Sequence, residues 1–363
     1  MFPTGIRVSK TGRDVTAHGA VLARVPARGG SRMPRTRGQG SRVSRNGNGD
    51  GSRRLGHVVS QSRSFGYDLC MEASDMAEMP WYRRPRAAQL VAVGIILLAS
   101  GVAHGSAQLL LGGPWEGAIT WRKPILFGIS GGLTSFSLGW VWTALPQRRG
   151  DRWLAAATAW ALLVEVFLID LQRWRGVASH FNRDTPLDSW LYDVMGGLIL
   201  FVSLVIADLT VRLFRCNSAM PSDMLLAAQA GMVFLVISCG LGIWISVYGD
   251  LRVAQGLDPE RYGAAGVPKF PHGAVIHAIQ WLPVIAWAGR RAGVLIRSRT
   301  WLVGMAAAGT AAILAYALLQ TAAGRSRFDA PVESLGVLVL GIACIAAPVA
   351  IIARVAIATR LAR

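Results

Sequence analysis

The chain contains few charged residues and few cysteines for its length. Only 16% of its 363 residues are charged, whereas 52% are hydrophobic, and the mean hydropathy is +0.39. A soluble domain of this length would carry more charge and shorter apolar runs. The four cysteines are scattered without a CxxC pair, so they indicate neither a disulfide framework nor a zinc knuckle.

Motifs with a recognisable metal chemistry are also missing. The sequence contains neither HExxH nor CxxCH, which excludes the common single-helix zinc site and covalent haem attachment. The stretch SHFN (179–182) places a serine beside a histidine, but adjacent side chains rarely point together. We therefore do not expect a serine nucleophile here, and whether the protein is an enzyme stays open.

Residues 1–80 differ in composition from the rest of the chain. They are rich in Arg, Gly and Ser, and no periodic apolar face runs through them, so we predict a disordered tail followed by a membrane domain over 81–363. Much of the formal net charge of +18 lies in 1–70, so we expect no nucleic-acid binding by the membrane domain. The tail itself could contact anionic lipid or nucleic acid, act as a targeting peptide, or be an upstream extension before a start at Met71, Met76 or Met79.

From Arg86 onwards the sequence is dominated by apolar stretches of about 20 residues, the length that crosses a bilayer. The pattern predicts an all-α polytopic membrane protein, a bundle of about eight transmembrane helices in the lipid bilayer. The predicted spans are about 87–111, 124–145, 153–171, 190–214, 223–248, 272–294, 301–323 and 334–358.

The basic residues between these spans predict the orientation of the chain. Arginine is more frequent on the side that holds both termini, and the connections on that side are short and carry few acids. The positive-inside rule then predicts a protein of the cell membrane with both termini cytoplasmic.

With this orientation, the polar groups of the spans cluster towards the extracytoplasmic side. Polar and ionisable groups within the membrane are costly, and their one-sided clustering indicates a functional cavity. We predict that a metal, haem or small polar ligand reaches this cavity from the extracytoplasmic side. The predicted ligand-binding residues are Glu165, Gln172, His180, His272, His277 and Gln280, and the predicted metal ligands are His104, His180 and His277.

Two other classes of function stay open. A transporter or permease for a small solute or ion would use a path from Glu165 to Asp208, although we find no internal repeat of the kind that many transporters contain. A structural or partner-binding membrane subunit would need no cavity, because its polar side chains would pair with one another.

Three stretches resemble segments of a known group of proteins. They are WRKPILFG (121–128), LQRWRGVASHFN (171–182) and KFPHGAVIHAIQWLP (269–283). They are similar to uncharacterised multi-pass integral membrane proteins of high-GC bacteria, over roughly residues 80–360. The resemblance implies a membrane protein without an assigned activity and adds no catalytic residue.

Overall fold

The computed structural model describes residues 79–216, 218, 220–329 and 331–361. The predicted disordered tail therefore lies outside the described residues, apart from its last two positions. The described chain is helical and has no strand, only an isolated antiparallel bridge between Tyr262 and Gly266. After a short 3-10 turn at Trp81–Arg83, its helices are α1 Pro85–Leu111, α2 Arg122–Thr143, α3 Asp151–Trp174, α4 Pro186–Arg215, α5 Ser222–Ala254, α6 Lys269–Val275, α7 Ala278–Arg291, α8 Ile296–Ala322 and α9 Val332–Leu361.

Seven of these helices are, by length and composition, able to cross a membrane: α1 to α5, α8 and α9. No more than half of the most apolar window of each is buried, and only 17% in α9, so large apolar surfaces face outwards. Such surfaces are stable in hydrocarbon, where the bilayer covers them. The all-α polytopic prediction is confirmed, and the described chain has the character of an integral membrane protein.

The sequence predicted one continuous span over 272–294, whereas the structure has a broken helix there. Helix α6 ends at Val275, α7 begins at Ala278, and His277 between them has φ −96° and ψ 9°. Pro283 cannot donate the amide hydrogen bond that would reach back to the carbonyl of Ile279. The α5 backbone comes very close at this point, since a Cβ added to Gly231 would lie 2.5 Å from the Cα of Ile279.

The chain turns back on itself at two ends of the bundle. We call the end formed by the connections 112–121, 175–185, 255–268 and 323–331 the four-loop end. The opposite end, formed by 144–150, 216–221 and 292–295, is the three-loop end. Contacts between separate connections join each end: the amide of Ala265 donates to the carbonyl of Gly324, and Ser218 donates to the carbonyl of Ala144.

Candidate functional site

The four-loop end brings two lysines to one carboxylate. Lys269, at the start of α6, forms an ion pair with Glu260 of the connection 255–268. Lys123, in the first turn of α2, lies 3.7 Å from the same Glu260 oxygen, Nζ to Oε1. The two ammonium groups hold the pKa of Glu260 below its usual value against the opposing effect of burial. Glu260 is therefore ionised at neutral pH and compensates only one of the two positive charges.

His180 lies beside this cluster, in the connection 175–185. Its ring is packed against the aromatic rings of Phe127, Phe181 and Tyr192, at centroid distances of 5.7, 6.4 and 6.0 Å. Burial, with the nearby positive charges of Lys123 and Lys269, lowers the pKa of His180 to about 3. The imidazole is consequently neutral at physiological pH.

The backbone around His180 is held in an uncommon conformation. Phe181 has φ +59°, a region that bulky residues rarely occupy. Its ring lies where a side chain on Gly249 would be, since an added Cβ would approach it to 2.3 Å. The turn is closed by Asn182, whose side chain donates to the carbonyl of Ala178 and accepts from the amide of Asp184, both at 3.1 Å. Strain of this kind often accompanies functional sites.

Contrary to expectation, Ser179 and His180 do point together, with Ser179 Oγ 2.9 Å from His180 Nδ1. Among the described residues, however, no carboxylate is hydrogen-bonded to the imidazole to orient it, as a serine-hydrolase triad requires. The stretch GISGG (128–132) matches GxSxG as a string, but it lies within uninterrupted α2 rather than on a strand-to-helix turn. The arrangement therefore lacks the geometry of a hydrolase.

A narrow crevice lies next to this cluster, between the start of α2, the end of α3 and their loops. Its walls lie so close together that no water-sized sphere fits between them, and the roughly 170 Å³ between the atoms includes open solvent. The polar part of its wall consists of Thr120, Lys123, Arg173 and Ser179. The apolar part of the wall consists of Ala118, Ile119, Pro124, Ile169 and Val177.

The crevice is lined by hydrogen-bond donors that have no partner in the protein. Thr120 is 2% exposed and its hydroxyl is unpaired, and the Nε of Arg173 is also buried without a partner. The guanidinium of Arg173 lies 3.8 Å from the ring centroid of Trp121, whose indole nitrogen is likewise buried and unpaired. Buried polar groups are nearly always hydrogen-bonded to protein or ordered water, so these donors take an acceptor from outside the chain, either water or a ligand.

His104 belongs to a separate group of polar side chains on α1 and α3. Trp174 Nε1 donates to His104 Nε2 at 3.0 Å, so this nitrogen acts as an acceptor. The other ring nitrogen, Nδ1, then donates to the carbonyl of Ser100 at 2.9 Å. Ser100 Oγ in turn donates to Asp170 Oδ2 at 2.8 Å. Both nitrogens of His104 are thus engaged within the protein.

The remaining predicted histidines lie at the broken helix. His272 Nδ1 donates to the carbonyl of Ser238 at 2.8 Å, which joins α6 to α5. His277 Nδ1 lies 3.3 Å from Gln280 Oε1, and Gln280 Nε2 donates to Ser137 Oγ of α2 at 3.0 Å. The break therefore carries a short polar chain that crosses from α7 to α2.

Gln172 and Glu165 have different surroundings, although both lie on α3. Gln172 donates to Asp188 Oδ1 at 3.0 Å and accepts from Arg175, so it joins the end of α3 to the start of α4. Glu165 is 4% exposed, and its Oε2 is buried without a partner. Among the described residues, no basic side chain is paired with Glu165.

The structure does not join the predicted residues into one site. No hydrogen bond or ion pair connects Glu165, His180 and His277 within the described chain, and no group of three or more His, Cys, Asp or Glu side chains there could hold a metal ion. Metal or haem binding by His104, His180 and His277 gains no support from this geometry and stays a prediction.

Sequence reasoning missed several residues of the four-loop end. Thr120, Lys123, Arg173 and Glu260 were not among the predicted site residues. No spacing in the sequence could have indicated them, because Lys123 and Glu260 are far apart in the chain. The nearest signal was WRKPILFG (121–128), whose two basic residues stand at the start of an apolar helix.

No protein-family model matches the chain, and comparison with curated proteins and with solved structures gives no significant match.

Proposed function

We propose that this integral membrane protein binds a small anionic ligand, a carboxylate or an oxyanion, at the four-loop end, where the walls of the crevice move apart to admit it. By the charge bias of the connections, the ligand reaches it from the extracytoplasmic side. The small polar ligand predicted from the sequence is thus an anion.

The observation that carries the proposal is the set of unpaired donors in the crevice wall. Thr120 Oγ1 and Arg173 Nε have no acceptor, and the positive charge of Lys123 is only partly compensated by Glu260. An anionic oxygen accepts several hydrogen bonds at once, and such bonds from arginine are among the strongest in proteins. A cation or an apolar ligand would leave these donors unsatisfied.

His180 and Gln172 have supporting roles in this proposal. A neutral His180 adds no charge to the cluster and holds Ser179, which contributes to the crevice wall. Gln172 fixes the end of α3, the helix that carries Arg173. Glu165, His272, His277 and Gln280 lie outside the crevice wall and are not needed for binding.

The test is a titration of the detergent-purified full chain with acetate, inorganic phosphate and sulfate at constant ionic strength, followed by tryptophan fluorescence during heating. A ligand that binds the folded state raises the unfolding temperature, by the equivalent of about 2.7 kcal/mol at 100 times its dissociation constant. At least one anion should do so, and Arg173→Gln should abolish the response. Arg183→Gln is the matched control, since Arg183 lies at the same end but pairs with Asp193.

A second variant should change the stability of the protein and its affinity for the anion in opposite directions. Thr120→Val replaces a buried unpaired hydroxyl by a methyl group, so the protein without anion should be as stable as the wild type or more stable. The same variant should bind the anion more weakly. The proposal is wrong if no anion stabilises the wild type, or if Arg173→Gln and Thr120→Val respond to anions as the wild type does.

Transport is a second candidate function, because one specific observation favours it. Helices broken within the membrane occur at the binding sites of many transporters, and the break at Ile276–His277 carries the polar chain from His277 through Gln280 to Ser137. The anion found by titration should then cross the membrane of vesicles that contain the protein. Gln280→Leu should slow this flux without weakening the response of the unfolding temperature to the anion.

Metal or haem binding is decided by a separate measurement. An absorption spectrum and elemental analysis of the purified protein would show a Soret band or a stoichiometric metal if the prediction is right. The signal should then be lost in His180→Ala or His277→Ala.

A further inference from the structure

A groove on the outer surface of the three-loop end has a volume of about 680 Å³. It lies between the beginning of α5 and the first turns of α8, at the opposite end of the bundle from the crevice. Its lining residues are Ser222, Ile296, Arg297, Thr300, Trp301, Gly304, Met305 and Ala308.

The chemistry of the groove changes along its length. Its polar groups, from Ser222, Arg297 and Thr300, lie at the helix starts. Further along α8 the lining is apolar, from Gly304 to Ala308. At a rise of about 1.5 Å per residue, Arg297 and Ala308 are roughly 16 Å apart along the helix. A polar head followed by an apolar tail on this scale is the form of a phospholipid.

The positive charge at the polar end is not neutralised by the protein. Asp223, which is fully buried, pairs with Arg299 at 2.6 Å and with Arg290 at 3.4 Å. Arg297 takes part in no hydrogen bond or ion pair within the described residues. Asp223 is thus shared by two guanidinium groups, and the exposed Arg297 has no counter-charge among the described residues, which favours an anionic head group over a zwitterionic one.

The groove also lies at the depth of a lipid head group. Trp301 is 77% exposed, one turn into a helix that is long and apolar enough to cross the membrane. Exposed tryptophan at the end of such a helix marks the interface between hydrocarbon and water. The groove thus opens sideways towards lipid, with Arg297 near the head groups and Gly304 and Ala308 in the hydrocarbon.

We propose that this groove is a binding site for one anionic phospholipid. The lipid phosphate accepts hydrogen bonds from Arg297, and one acyl chain lies along Gly304 and Ala308. The site is independent of the anion crevice, because the two share no residue and lie at opposite ends of the bundle.

The structure offers a substitution that fills the groove without disturbing the protein. A Cβ added to Gly304 has no other atom within 4 Å, so Gly304→Leu would occupy space that the acyl chain needs. Gly197→Leu is the matched control, since Gly197 lies on α4, away from the groove, and likewise has no atom within 4 Å of an added Cβ. Arg297→Gln tests the head-group contact separately.

The experiment is native mass spectrometry of the delipidated full chain, titrated in detergent with dioleoyl phosphatidylglycerol or dioleoyl phosphatidylcholine. The wild type and Gly197→Leu should each bind one phosphatidylglycerol in preference to phosphatidylcholine, whereas Gly304→Leu should bind neither at this site. Arg297→Gln should reduce the preference about fivefold, the effect of one arginine near an anionic lipid. The unfolding temperature of each variant confirms that it is folded.

Three results would overturn the proposal. Equal binding of the two lipids by the wild type would show that the groove does not select an anionic head group. Retention of phosphatidylglycerol by folded Gly304→Leu would place the lipid elsewhere, and an unchanged preference in Arg297→Gln would exclude the assigned contact.

Discussion

At the scale of single residues, a buried ion pair at the three-loop end joins two helices. Asp151 and Arg212 are 4% and 2% exposed and form two hydrogen bonds, of 2.9 and 2.8 Å. Arg212 also donates to the carbonyl of Pro146 at 3.1 Å. The pair thus joins the beginning of α3 to the end of α4.

Removing one partner of this buried pair should be costly. Asp151→Ala leaves the guanidinium of Arg212 buried without its main counter-charge, a change that typically costs about 3–5 kcal/mol. Asp208→Ala is the control, since Asp208 lies 3.5 Å from Arg212 but its side chain is 45% exposed, and an exposed pair contributes up to about 1 kcal/mol. Thermal unfolding in detergent measures both, and equal losses of stability would contradict the assignment of the pair.

At the scale of helices, glycines determine how closely α1 and α2 pack. A Cβ added to Gly128 would lie 2.7 Å from the backbone nitrogen of Gly101, and one added to Gly132 would lie 2.8 Å from the carbonyl of Gly94. Gly128 and Gly132 thus let the backbones of α1 and α2 approach closely. Close approach of backbones matters in lipid because no hydrophobic force drives the helices together.

Other glycines of the candidate spans have no close neighbour. The space around Gly196, Gly197 and Gly240 is open, with no atom within 4 Å of an added Cβ. In sequence these residues resemble Gly128 and Gly132. They differ because their helix faces point away from neighbouring helices, and the direction of a face is a property of the tertiary structure.

A pair of glycine substitutions on the same two helices tests this packing. Gly128→Ala should destabilise the protein, because its methyl group meets backbone atoms that cannot move aside without separating α1 from α2. Gly105→Ala, on α1, meets no atom within 4 Å, and should be neutral or stabilising by up to about 1 kcal/mol through its higher helix propensity. If both variants unfold at the same temperature in detergent, the packing argument fails.

At the scale of the whole molecule, the broken helix decides how many times the chain crosses the membrane. Together α6 and α7 extend from Lys269 to Arg291, a length of roughly 34 Å if fully helical, enough for the ~30 Å hydrocarbon core. If they cross the membrane as one unit, they and the seven candidate spans make eight crossings, the predicted number. The C-terminal end of α9 then lies on the same side as the three-loop end.

Labelling of single cysteines by a membrane-impermeant reagent measures this topology in intact cells. In a chain with its native cysteines replaced, Asp184→Cys should react from outside, since it lies at the four-loop end. Arg149→Cys and Thr359→Cys should react only after permeabilisation. If α6 and α7 entered and left by the same side, Thr359→Cys would instead react together with Asp184→Cys, and the cysteine-free chain controls for background.

The sequence by itself determined the membrane class, the all-α architecture and the approximate positions of the seven candidate spans. These properties depend on hydrophobicity summed over about 20 consecutive residues, which is local along the chain. It also indicated His104, His180, His272 and His277 as candidate binding residues. It could not predict what each histidine contacts, because a partner on another helix does not affect the local sequence pattern.

Only the tertiary structure decided which polar groups are paired and which are left over. Asp170 is satisfied by Ser100 at one oxygen, Gln280 reaches Ser137, and Glu260 is shared between two lysines. Arg173 and Thr120 keep unpaired donors, and Arg297 keeps an uncompensated charge, because the helices around them bring no acceptor close enough. Both proposed binding sites follow from these leftover groups, which exist only once distant parts of the chain are packed together.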